Sequence, residues 1–307
     1  MQTAYITHPL CLKHDMGAHH PECPARIHAI EDQLIASGLF GYLQQHDAPE
    51  VTREQLLRVH DAAYIDAIKA AAPHQGSVDI DGDTTMNPFT YPAALRAAGA
   101  VVMAVDLVMA NKVENAFCNI RPPGHHAEKA RAMGFCIFNN IAIGAAHALA
   151  AHGLSRVAIA DFDVHHGNGT EHAFHDNPRV MLCSTFQHPF YPYDGADSGN
   201  DHIINVPLAA GVGSMEFREA VTNRWLPALE EFQPELLLIS AGFDAHWEDD
   251  MAMLRLMDAD YGWVTKQLKG IAERHCHKRI VSALEGGYEL HALGRSAMSH
   301  IKELSGL

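Results

Sequence analysis

Six short apolar runs, each followed by a loop bearing Gly, Asp or His, limit the fold of this chain more than any other feature. The runs are Ala4–Thr7, Ala116–Ile120, Val157–Ala160, Val180–Ser184, Leu236–Ser240 and Ile280–Leu284. Helical patterns occupy Pro24–Ser37, Tyr91–Ala110, Ile141–His152, Met215–Glu231, Met257–Arg274 and Leu290–Leu304. Strands alternating with helices of this length form βαβ units, whose right-handed crossovers build a parallel sheet covered on both faces. Leu236–Ser240 reads Leu-Leu-Leu-Ile-Ser with no polar alternation, as a strand buried on both sides does. No linker, charge block or repeat divides the sequence. Residues 1–307 are therefore expected to form a single α/β domain around a central, mostly parallel sheet. The histidine-rich stretches around residues 8–23 and 187–202 read as long functional loops.

Composition removes several function classes. With 48% apolar and 19% charged residues the chain has an ordinary globular profile. Its longest uncharged apolar stretch, Ala97–Val105, is too short to span a bilayer. Lys and Arg number 22 against 37 Asp and Glu, and the net charge of −15 disfavours direct contact with nucleic acid. The cationic segment Lys266–Arg279 is interrupted, as on a solvated helix face. Six cysteines without a C-x-x-C pair, and a start lacking a signal-peptide pattern, lead to the expectation of a reduced, cytoplasmic protein. Histidine, the common metal ligand and proton carrier near neutral pH, occurs 23 times.

In an open α/β sheet the ligand site lies beyond the carboxyl ends of the strands. Four runs lead there into chemistry-bearing loops: Arg121-Pro122-Pro123-Gly124-His125-His126, Asp161-Phe162-Asp163-Val164-His165-His166-Gly167-Asn168-Gly169, Ala241-Gly242-Phe243-Asp244 and Glu285-Gly286-Gly287-Tyr288. Residues two apart in an extended segment point the same way, so Asp161, Asp163 and His165 project to one side. Asp163 and His165 offer two metal ligands from one strand end, and Asp244 supplies a third from another. Three protein ligands with an open position is the catalytic zinc arrangement. Two carboxylates make the set hard enough to suit Fe²⁺ or Co²⁺ as well.

These residues resemble the histone deacetylase-like zinc amidohydrolases, which have the arginase–deacetylase fold. The resemblance runs from His19-His20-Pro21-Glu22 and Pro24-Ala25-Arg26 to Glu285-Gly286-Gly287-Tyr288. It rests on the Arg-Pro-Pro-Gly-His-His loop, on Gly134-Phe135-Cys136-Ile137-Phe138-Asn139-Asn140, and on Asp-x-Asp-x-His-His-Gly-Asn-Gly-Thr from Asp161. Asn168, where the main eukaryotic class has Asp, makes the chain similar to second-class and bacterial members. The family includes protein lysine deacetylases and acetylpolyamine amidohydrolases. The resemblance implies that Asp163, His165 and Asp244 hold Zn²⁺, which polarises the acetyl carbonyl and lowers the pKa of its water. It makes His126 the general base, with Asn168 as its neutral partner, and His125 the electrostatic partner held by Asp161. Tyr288 would donate to the developing oxyanion.

The same resemblance places Gly134, Phe135, Tyr191 and Met251 along an acyl-lysine channel and Arg26 at an acetate exit. It implies K⁺ at Asp161 and Ser184 with the backbone of Asp163 and His165, and a second K⁺ near Phe174, Asn177 and Val180. Expected partners are acetylated lysine in proteins or peptides, or acetylated small amines, and a homo-oligomer is left open. A binuclear manganese hydrolase of the same fold is disfavoured because Gly167 and Ala245-His246 supply no bridging carboxylates. An acyl-binding scaffold without activity is disfavoured because every catalytic position is kept, whereas a thioester hydrolase would use the same ligands. Met251 stands where polyamine-preferring members place a Glu, which favours acyl-lysine; the neighbouring Glu248, Asp249 and Asp250 could read a second cation.

Overall fold

The computed structural model describes residues 2–307. Ten strands lie among them: β1 (Thr3–Thr7), β2 (Gln44–Asp47), β3 (Val78–Asp79), β4 (Thr85–Met86), β5 (Asn115–Cys118), β6 (Val157–Asp161), β7 (Val180–Gln187), β8 (Ile203–Leu208), β9 (Leu236–Ala241) and β10 (Ile280–Leu284). Eight of these form one sheet in the order β2-β1-β5-β10-β9-β6-β7-β8. Every neighbouring pair in it is parallel. β3 and β4 make a separate antiparallel pair. The central strands β5, β6, β9 and β10 are buried along their whole length, which explains their unalternating apolar sequences.

The helices are α1 (Ala25–Ala36), α2 (Arg53–Leu56), α3 (Ala62–Ala71), α4 (Thr90–Met109), α5 (Asn140–Ala151), α6 (Asn168–Phe174), α7 (Ser214–Ala220), α8 (Leu226–Phe232), α9 (Asp258–His275) and α10 (Leu290–Ser305). Helices α4 and α5 pack on one another and on the sheet, while α1, α9 and α10 form a second packed group. By length and apolarity α4 could cross a membrane, yet its Ala97, Ala98, Ala100, Val101 and Val105 lie wholly inside the hydrophobic core. The helix expected over Met215–Glu231 is α7 and α8 joined by a wider π-helical turn, Val221–Trp225. That turn immediately precedes Leu226-Pro227, where proline has no N–H for the regular hydrogen-bond ladder.

Two edge strands escape the sequence reading. β2 is Gln-Gln-His-Asp, a polar edge with no apolar signal. β8 contains Pro207, which an edge strand tolerates and which hides the strand pattern. The expected run Ala116–Ile120 ends as a strand at Cys118, and β7 continues beyond Ser184 to Gln187.

Candidate active site

The four strands that lead into the chemistry-bearing loops, β5, β10, β9 and β6, are consecutive neighbours in the sheet. Their carboxyl ends therefore meet at its centre. β6 ends at Asp161, but the alternation persists: Phe162 and Val164 enter the hydrophobic core, while Asp163 and His165 turn to the site. Ligand atoms of Asp163, His165 and Asp244 lie within 4.8 Å of one another, and all three residues are buried. His165 Nδ1 is 2.9 Å from Asp163 Oδ1 and 3.3 Å from Asp244 Oδ2. Asp244 Oδ1 accepts the Val164 N–H, whereas the buried Oδ2 has no hydrogen-bond partner. Burial and the charge of Asp163 push the Asp244 carboxyl up to about 6. Burial opposes the charge on His165, but the two carboxylates outweigh it and raise the imidazole to about 9. Two buried carboxylates and one imidazole, with an unpartnered oxygen among them, fit a divalent cation. Gly286 makes the close packing feasible: a Cβ there would lie 2.0 Å from Asp244 Oδ2 and 2.6 Å from Asp163 Oδ2.

His125 and His126 follow β5 with ring centroids 4.1 Å apart. His125 Nδ1 is 3.0 Å from Asp161 Oδ2. Burial disfavours its charge, yet Asp163 and Asp161 hold it well above the ordinary histidine value. His126 Nδ1 faces Asn168 Oδ1 at 2.8 Å, and burial together with its histidine neighbours pushes it well below that value. Their loop is fixed from β10, because the N–H groups of Gly124 and His125 donate to Glu285 Oε2.

Tyr288 follows β10, with Arg26 4.9 Å from its ring centroid and Phe135 in edge contact at 5.9 Å. Tyr191 meets His126 edge-on at 5.3 Å, and a Cβ on Gly134 would lie 2.3 Å from the His126 ring. Gly134, Phe135 and Tyr191 thus gather around His126 and Tyr288. The structure adds Phe190, stacked on His165 at 5.4 Å, and Asp83, whose Oδ1 accepts the Gly134 N–H.

Residues 20–304 match the model of the histone deacetylase domain. The chain belongs to that family. A histone deacetylase-like amidohydrolase of Pseudomonas aeruginosa is 36% identical over all of this chain and 87% of its own. A human protein named polyamine deacetylase HDAC10 is 34% identical over 93% of this chain and 45% of its own length. The crystal structure of the HDA15 HD domain superposes with a TM-score of 0.94 at 35% identity, covering 99% of this chain and 88% of that one. The fold is accordingly the arginase–deacetylase fold, and the chain is a hydrolase acting on amides, of deacetylase type.

Buried ion pairs and backbone hydrogen bonds fix several positions around this histone deacetylase-family site. Arg26 is fully buried and paired with Glu22, and its Nε donates to the Gly287 carbonyl at 2.6 Å. Glu22 also pairs with buried Arg121. In the acidic trio, Glu248 makes two hydrogen bonds with Arg295 at 3.0 and 2.9 Å. Asp249 is buried, and its Oδ2 accepts the N–H groups of Tyr288 and Glu289 while Oδ1 accepts that of Met251. Asp249 is therefore an anchor for the Tyr288 backbone, a role that leaves no side-chain pattern in sequence. A second His–Asp cluster joins His147 and His152 to Asp106, but Arg58 donates to His147 Nδ1 at 2.7 Å. Nε2 of His147 then carries its proton and donates to Asp106, so this group is a hydrogen-bonded cluster.

Proposed function

We propose that this chain hydrolyses the amide between an acyl group and the ε-amine of lysine in peptides or proteins, with one Zn²⁺ held by Asp163, His165 and Asp244. The observation that carries this reading is the convergence of the three ligands, the His125–His126 pair and the Tyr288 loop at four neighbouring strand ends. When bound, the cation supplies Lewis acidity to the acyl carbonyl and to water. His126 donates through Nδ1–H to Asn168, leaving Nε2 basic. It takes the proton of the attacking water and returns it to the amine as the carbon–nitrogen bond breaks. His125, kept cationic by its carboxylates, adds positive charge beside the reacting centre. The Tyr288 hydroxyl donates to the carbonyl oxygen as that oxygen gains negative charge. Phe135 and Tyr191 flank the aliphatic stem of the lysine. Ser184 Oγ is buried without a hydrogen-bond partner and its residue pairs with Asp161 across β6 and β7, which supports a K⁺ at that position.

The peptide substrate is favoured because Met251 is apolar and two members of the adjacent acidic trio are already engaged by Arg295 and by backbone N–H groups. A second reading, acetylpolyamine hydrolysis, draws on the resemblance to the human polyamine deacetylase and on exposed Asp250. Assaying an acetyl-lysine peptide, N8-acetylspermidine and an acyl thioester side by side separates them. The proposal expects the highest kcat/KM on the peptide, with Met251→Glu narrowing the gap to the polyamine. A wild-type preference for the polyamine overturns the choice of substrate.

A further inference from the structure

Asn168 has two faces. Its Oδ1 lies 2.8 Å from His126 Nδ1, and its Nδ2 lies 2.8 Å from Glu128 Oε1. A carboxylate is an acceptor only, so the face of the amide turned to Glu128 must be the NH₂ group. The opposite face is then the carbonyl oxygen, which can only accept. His126 must therefore carry its proton on Nδ1, and Nε2 keeps the lone pair. No other partner sets the amide this way as firmly: the remaining neighbour of Nδ2 is the Met133 sulfur at 3.3 Å, a weak acceptor.

We infer that Glu128 is a positioning residue that selects the catalytic tautomer of His126 by fixing the orientation of the Asn168 amide. The inference rests on the reading of His126 as the general base. Glu128 reaches no reacting group, because Asn168 stands between it and His126. Without an acceptor at position 128 the Asn168 amide is free to turn over. Its NH₂ group then faces Nδ1, moves the imidazole proton to Nε2 and removes the base. The turned amide also opposes the imidazolium formed during turnover, since both ring nitrogens of that ion are donors. A wrongly set tautomer costs a serine-protease triad about 10⁴ in kcat, which shows how severe the effect can be. The requirement is peculiar to an amide at position 168, because a carboxylate there presents two acceptor oxygens and has no wrong face.

The test is a set of variants of the metal-loaded chain assayed on an acetyl-lysine peptide, with metal content and thermal midpoint measured for each. Glu128→Leu should lower kcat about tenfold or more with KM and metal content unchanged, and Glu128→Gln, whose amide can turn either its oxygen or its NH₂ group to Asn168, should fall between Glu128→Leu and wild type. In an Asn168→Asp background, Glu128→Leu should cost nothing further. Imidazole ¹⁵N spectra should show His126 protonated on Nδ1 in wild type and shifted toward Nε2 in Glu128→Leu. The proposal is overturned if Glu128→Leu is as fast as wild type, if Glu128→Gln is slower than Glu128→Leu, or if the loss persists in the Asn168→Asp background. Should Glu128→Leu not fold, Glu128→Ala takes its place, and failure of both to fold assigns Glu128 to the loop structure and overturns the proposal. A His126→Ala chain with wild-type kcat removes the reading of His126 and this inference with it. A slow His126→Ala beside a harmless Glu128→Leu overturns the inference alone.

Discussion

Tyr288 is aimed by groups that bind its backbone and its neighbours. Asp249 accepts its N–H at 2.6 Å, Arg26 donates to the carbonyl of Gly287, and the Gly286 N–H donates to Asp163 Oδ2 at 2.8 Å. In the proposed reaction the hydroxyl acts only on the substrate. Tyr288→Phe is thus expected to lower kcat by about 10²–10³ while metal content stays at the wild-type level. A Tyr288→Phe chain with wild-type kcat, measured on the acetyl-lysine peptide, contradicts that role. Gly286 tests the ligand set by sterics. Gly286→Ala puts a methyl against Asp244 Oδ2 and should release metal during dialysis that wild type survives; full retention would show that the carboxylate can move aside. The candidate metal ligands were legible in sequence because each stands just past a buried apolar run. Asp249 and Glu128 were not, since their partners are backbone N–H groups and an amide contributed from elsewhere in the chain.

Asn139 joins helix α5 to the histidine loop. Its side-chain oxygen caps the helix by accepting the Ala142 N–H at 3.0 Å. Its Nδ2 donates to the His125 and Ala127 carbonyls and to Thr170 Oγ1. Replacing a capping Asn by Ala costs about 0.5–2 kcal/mol, and leaving the buried carbonyls with fewer donors adds to it. Urea unfolding of Asn139→Ala should show a loss of about 1–3 kcal/mol together with a reduced kcat, because the same side chain holds the loop of the base. Unchanged stability would contradict the capping role. At this scale the six expected strands and the long helices were readable from apolar runs and periodicity. β2 and β8 were not, because an exposed edge needs no apolar sequence and even admits proline. The break between α7 and α8 lay inside a continuous amphipathic pattern, where only Pro227 marked it.

Across the whole molecule, buried neutral histidines give stability a definite pH dependence. His300 is fully buried between Thr265 Oγ1 at 2.6 Å and Ser282 Oγ at 2.8 Å, and burial lowers it to about 3. His60, buried and bonded to the Glu128 carbonyl, is lowered to about 4, again chiefly by burial. Both sit below the unfolded value of about 6.5, so the unfolded chain binds more protons beneath that pH and stability falls as pH drops from about 6.5 towards 3–4. At pH 5 the loss is about 2 kcal/mol for each. Thermal melts between pH 7 and 5 should therefore show a shallower decline for His300→Gln than for wild type, and equal declines would contradict the assignment. The sheet gathers its four chemistry-bearing loops at one end, and the proposed reaction there depends on a single cation among Asp163, His165 and Asp244. The most direct measurement is acetate release from the acetyl-lysine peptide by chelator-treated chain as Zn²⁺ is added back. Activity should be absent without metal and rise linearly to a plateau at about one equivalent per chain. Activity that survives complete removal of metal, or a plateau that requires two equivalents, would contradict it.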